Sequence, residues 1–106
     1  MKTLALVASL SFAPMIYAAD ADNGEILYKE TEFSRMQNGQ MRDDFTCGEC
    51  HTATDFTKPD RKADSYRAIH YWVDSCNNAM SVTWFPDEVD DVTAYMNREY
   101  YKFPAE

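Results

Sequence analysis

The chain has 106 residues, a formal charge of −8 and an apolar fraction of 45 %. So acidic a surface repels a phosphate backbone, which excludes nucleic acid as an expected partner. The length allows one small domain, a size at which side chains alone make a marginal core and a disulfide, metal or cofactor usually completes it.

The chain opens with Met1-Lys2-Thr3 and an apolar run from Leu4 to Ala13. One basic residue ahead of an apolar stretch too short to span a bilayer is the pattern of a secretory signal peptide. The leader is expected over residues 1–18, with cleavage after Ala18 and, as the second position, after Ala21; residues 22–106 form one domain. No cysteine stands at this boundary to accept a lipid, and no later stretch is apolar enough to cross a membrane. An exported, periplasmic protein without membrane insertion is expected. Loss of Lys2 with the leader makes the charge −9, which favours partners with a basic docking face.

The first predicted helix starts near Asp22-Asn23-Gly24-Glu25, a capping residue with an acid three positions on, and presents Ile26, Leu27 and Tyr28. Residues 34–44 are polar, carry Asn38-Gly39 as a turn signal and show no sustained periodicity, so a loop is predicted. Residues 52–64 are polar and broken by Pro59, which predicts a second surface loop. From Ser65 the positions Tyr66, Ile69, Val73 and Cys76 recur at helical spacing, with Asp64 or Ser65 as cap. Pro86-Asp87-Glu88 opens a last helix whose apolar stripe is Val89, Val92, Met96 and Tyr100, with Arg98 and Lys102 near its end. No internal repeat and no strand pattern stands out, and the expected class is all-α.

Chemistry is carried by Cys47-Gly48-Glu49-Cys50-His51, the Cys-x-x-Cys-His sequence of c-type haem attachment. One short turn sets two thiols where each can add to a porphyrin vinyl group, and the adjoining imidazole then serves as an axial ligand. Cys47 and Cys50 are the expected covalent attachment points of one haem c, and His51 the ligand of its iron. A thioredoxin-like cysteine pair needs a βαβ pattern, and a zinc site needs more Cys or His at ligand spacing. The sequence offers neither, and His70 is the only other histidine.

Gly24 with Leu27-Tyr28 ahead of the motif, and Val92-Thr93-Ala94-Tyr95-Met96 after it, resemble the crossing terminal helices of class I cytochromes c. The resemblance implies that fold, three to four helices around one covalent haem, with Gly24 and Tyr28 meeting Tyr95. The interval from Tyr28 to Cys47 is longer than compact members have, which implies an insertion. Cys76-Asn77 and Phe85-Pro86-Asp87-Glu88 resemble the SHP-type and related high-spin or spin-switching bacterial cytochromes c. Those proteins pair this cysteine with a second one eight residues on; here that position is Trp84, and the bridge cannot form. Their displaceable sixth ligand, Asn or His, corresponds to Ser75, a poor iron ligand.

The sixth position therefore has several candidates. Met80 resembles the axial methionine of small class I members, although the interval from His51 to Met80 is short for a chain wrapping round a haem. His70 is the runner-up and would give bis-histidine ligation. The third alternative is an open or weakly held position with Asn77 or Asn78 near the iron. Met36, Met41 and Met96 read as loop or core residues. Cys76 reads as a small buried residue, with an intermolecular disulfide as its alternative, so a monomer is expected and a Cys76-linked dimer is the variant. Lys58, Arg61, Lys62 and Arg67 form a basic cluster that is either a solvated loop or a site for haem propionates or partner docking.

The expected function is single-electron transfer between periplasmic redox donors and acceptors, free or as a haem subunit of a larger oxidoreductase. Binding of a diatomic gas (O2, NO or CO) at an open iron position is the alternative. No constellation of catalytic acid, base or nucleophile surrounds the motif, so no independent enzymatic activity is expected.

Overall fold

The computed structural model describes residues 18–104, and the leader expected over residues 1–18 lies, but for Ala18, outside the described residues. In chain order the elements are helix α1 (Ala21–Glu30), strands β1 (Phe33–Gln37) and β2 (Gln40–Phe45), then helices α2 (Cys47–Cys50), α3 (Ala53–Thr57), α4 (Tyr66–Ala79) and α5 (Pro86–Met96). A π-helical turn over Asn97–Tyr101 follows α5 directly.

The N-cap of α1 lies two residues before the predicted one, Asp22. Asp20 is the N-cap and its carboxylate accepts from the Asn23 amide at 3.1 Å. Opposite it, the buried Asp91 of α5 accepts from the Asp20 amide at 2.8 Å and from Asn23 Nδ2 at 2.9 Å. These hydrogen bonds satisfy a carboxylate that would otherwise be costly to remove from water. Arg98 ties the other end of the crossing, with Nη1 2.6 Å from Asp22 and Nη2 3.3 Å from Glu25.

Gly24 sets how closely the two helices approach. A Cβ built there would lie 1.9 Å from the Asp91 carbonyl oxygen and 2.9 Å from Tyr95 Cβ. One turn further on, the Tyr28 and Tyr95 rings meet at 5.5 Å between centroids. The contact of Gly24 and Tyr28 with Tyr95 that the resemblance implied is therefore present.

The all-α class I cytochrome c fold expected from the sequence is corrected here. Residues 34–44 are not a loop: β1 and β2 form an antiparallel hairpin pairing Phe33 with Phe45, Arg35 with Arg42 and Met36 with Met41. Its cause is Asn38-Gly39, whose φ values of 53° and 80° both lie in the left-handed region that a two-residue hairpin loop with matching twist requires. A bulge near Ser34 then sets two residues of β2 against one of β1. Only Phe33 and Phe45, at the open end, are buried, so the strands lack the apolar alternation that usually announces a sheet. The hairpin also accounts for the long interval between Tyr28 and Cys47. The mixed fold has a second departure, since the predicted loop over residues 52–64 contains α3, which Thr52 opens with a capping box to Asp55.

Helix α4 begins at the predicted place, with the Ser65 hydroxyl accepting from the Ala68 amide. The main core joins Tyr28, Ile69, Val92, Tyr95 and Met96, and a smaller cluster joins Phe33, Phe45 and Val82. Cys47 and Trp84 touch both. Asn77 fixes Trp84 from α4: its Oδ1 accepts from the Trp84 amide at 2.8 Å and its Nδ2 donates to the Trp84 carbonyl at 3.2 Å.

Because a Cβ at Gly24 meets backbone rather than a movable side chain, Gly24→Ala is expected to destabilise the fold by at least roughly 1–3 kcal/mol. A lowered urea midpoint with an unchanged slope is the expected reading; an unchanged midpoint would mean that the helices separate without cost.

Candidate haem-attachment site

Thr46 caps the single turn of α2, and the His51 amide closes it by donating to the Cys47 carbonyl at 3.2 Å. The turn sends its two cysteines into different surroundings. Cys47 is partly buried where the two core clusters join, whereas Cys50 is exposed and its Sγ lies 2.9 Å from Arg35 Nη1 on the hairpin. Burial, and after it the neighbouring Cys76 and Cys50, push the Cys47 thiol up to about 12. Burial and the proximity of Cys50 also raise Cys76, while Arg35 acts the other way.

Beside this turn opens a cleft of about 660 Å³, within the roughly 300–1,000 Å³ typical of cofactor sites. Cys47 and His51 stand on one side, Ile69, Trp72, Val73 and Cys76 of α4 contribute to another, and Tyr28, Val92 and Met96 of the helix crossing line it as well. The Tyr28 hydroxyl is held neutral well above its usual range, burial being the main cause. The lining is thus mostly apolar, with the Cys47 thiol and the His51 imidazole on one side.

Among the other sequence candidates, Met80 caps the end of α4 and packs with Phe33, Phe45 and Val82, and it is not part of the cleft lining. His70 is not part of it either: its Nε2 lies 3.0 Å from Asp90 Oδ1, bridging α4 and α5. Ser75, Cys76 and Asn77 do line the cleft, but the Asn77 amide is committed to Trp84. Among the described residues, the sulfur-bearing side chains of the lining beyond the Cys-x-x-Cys-His motif are Cys76 and Met96. The sequence reads Met96 as a loop or core residue, because spacing does not say which core residues border a void.

Two members of the basic cluster, Lys58 and Lys62, line the cleft, and Lys62 Nζ sits 5.2 Å from the centre of the Trp72 ring. Arg61 lies over the Tyr101 and Phe103 rings, with its Nε buried and without a hydrogen-bond partner. Sequence reasoning missed Asp55, whose Oδ2 lies 3.7 Å from His51 Nδ1. Its signal was a Thr-x-x-Asp cap immediately after the histidine. Arg35 was also missed, since only the hairpin brings it to Cys50.

Among the described residues no group of three or more His, Cys, Asp or Glu side chains is arranged to hold a metal ion by itself. Comparison with protein-family models, curated proteins and solved structures finds no match.

In the reduced, haem-free chain a thiol-alkylating reagent near neutral pH is expected to label Cys50 well before Cys47. Labelling of Cys47 should rise about tenfold per pH unit as the thiolate forms. Equal labelling of the two near neutral pH, followed by peptide mass analysis, would contradict the asymmetry.

Proposed function

We propose that the chain is an exported c-type cytochrome that carries one haem c on Cys47 and Cys50, with His51 as iron ligand, and transfers single electrons between periplasmic redox proteins. The observation that carries this reading is the convergence of Cys47 and His51 on a mostly apolar cleft of cofactor size. The motif alone is a sequence pattern; opening onto such a cleft, it has somewhere to hold a macrocycle.

The residues fit the group in three respects. Each thioether forms by adding S–H across a vinyl C=C bond, so attachment consumes no oxidant and needs only two reduced thiols, which Cys47 and Cys50 are. The cleft lining supplies the dry contacts that a porphyrin face requires. Lys58 and Lys62, which line the cleft, offer cationic partners for propionates.

A haem held there supplies a one-electron couple, and the chain does the rest. His51 donates a ring nitrogen, the walls exclude water, and Cys50 on the exposed side brings one edge of the site to the surface where a partner can approach. The acidic surface favours a partner with basic groups at its docking face.

Gas binding is the second reading, and a specific observation favours it: neither Met80 nor His70 lines the cleft. Met80 ends α4 and packs instead with Phe33, Phe45 and Val82, just before a turn where Ser81 and Thr83 adopt left-handed φ.

The spectrum of the reduced protein with and without carbon monoxide separates the two. An unchanged Soret band is expected for the electron carrier. A band shifted by the gas would overturn that reading and leave an accessible iron as the function.

A further inference from the structure

The nitrogen of His51 that faces Asp55 has a built environment. Asp55 Oδ2 stands 3.7 Å from His51 Nδ1 and, with the same oxygen, accepts from the Thr52 amide at 2.9 Å. The Asp55 amide in turn donates to the Thr52 carbonyl at 3.0 Å. The carboxylate is therefore held in place by the first turn of α3. On the next residue, the Phe56 ring meets the imidazole at 5.4 Å and packs on Tyr100 and Tyr101, tying α3 to the end of the chain.

A metal-bound histidine uses one ring nitrogen, and the partner of the other sets its tautomer, its rotation and its basicity. With Nδ1 facing a fixed carboxylate, Nε2 is the nitrogen left for a metal. A negative charge on the far side of the ring favours the more positive state of whatever the ring ligates, and so disfavours reduction. Both side chains are half-exposed, 45 % for His51 and 42 % for Asp55. Such a pair adds little to folding stability, and its influence is to be read in the redox equilibrium.

We infer that Asp55 is a positioning residue for His51, holding the imidazole from its Nδ1 side and lowering the reduction potential through the Asp55–His51 contact. This rests on the haem reading above. It assigns a role to a residue outside the attachment motif and gives the capping box after His51 a second use.

The test is a spectroelectrochemical titration of the exported, haem-loaded protein and three variants. Asp55→Asn keeps an acceptor for the Thr52 amide but removes the charge. It is expected to raise the ratio of reduced to oxidised protein at a fixed applied potential at least tenfold, which is 59 mV for one electron. Asp55→Glu is expected to restore most of the original value. Thr52→Ala removes the hydroxyl at the N-cap position of α3 but leaves the Asp55 carboxylate and the Thr52 amide that donates to it, and its potential should stay with the wild type. An unchanged potential in Asp55→Asn, or an equal shift in Thr52→Ala, overturns the inference while leaving the haem reading intact. Wild-type protein without covalently bound haem, seen in its intact mass, overturns the haem reading and this inference with it.

Discussion

The close approach of α1 and α5 at Gly24 is the constraint on which the rest of the molecule depends. Backbone lies against backbone there, with the Asp91 carbonyl in the space a side chain would take, and the neighbouring Asp91 carboxylate binds the start of α1. This contact places Tyr28 against Tyr95 and leaves Tyr28, Val92 and Met96 to form part of the cleft. A wider crossing would remove that part. The chain thus relies on a single glycine, two hydrogen bonds to a buried acid and the Arg98 ion pairs to shape a surface at some distance from the chemistry.

The cleft in turn explains the economy of the core. A domain of this size that leaves about 660 Å³ between its helices forgoes contacts that a larger protein would fill with side chains. Cys47 and Trp84 pack against both of its apolar clusters. A flat apolar group in the cleft would touch both, and its attachment to Cys47 would join it to the chain at that meeting point. The size argument and the attachment motif therefore lead to the same place.

Much of the helical part was legible in the sequence. The Ser65 cap, the spacing of Ile69, Val73 and Cys76 and the Pro86 start are local signals, and local signals were sufficient for α4 and α5. The hairpin was not legible by periodicity, because its strands bury only Phe33 and Phe45 and otherwise face water. Asn38-Gly39 was the usable clue, and it specified both a turn and the pairing around it. In the candidate site, Cys47, Cys50 and His51 are neighbours in the chain, so their grouping could be read directly. The positions of Met80 and His70 depend on how α4 rotates and ends, which spacing does not determine. Asp55 and Arg35 show the two remaining cases, one hidden in a short cap and the other brought in by an unforeseen sheet.

The most direct test of the account is whether haem stays on the chain when the fold is destroyed. The protein exported by a host able to attach haem is denatured in acid, extracted with organic solvent and weighed intact. The account predicts that one haem remains with the polypeptide and maps to the peptide containing Cys47 and Cys50. Haem that leaves with the solvent, or a chain that never carries it, would contradict the assignment of this motif as an attachment site.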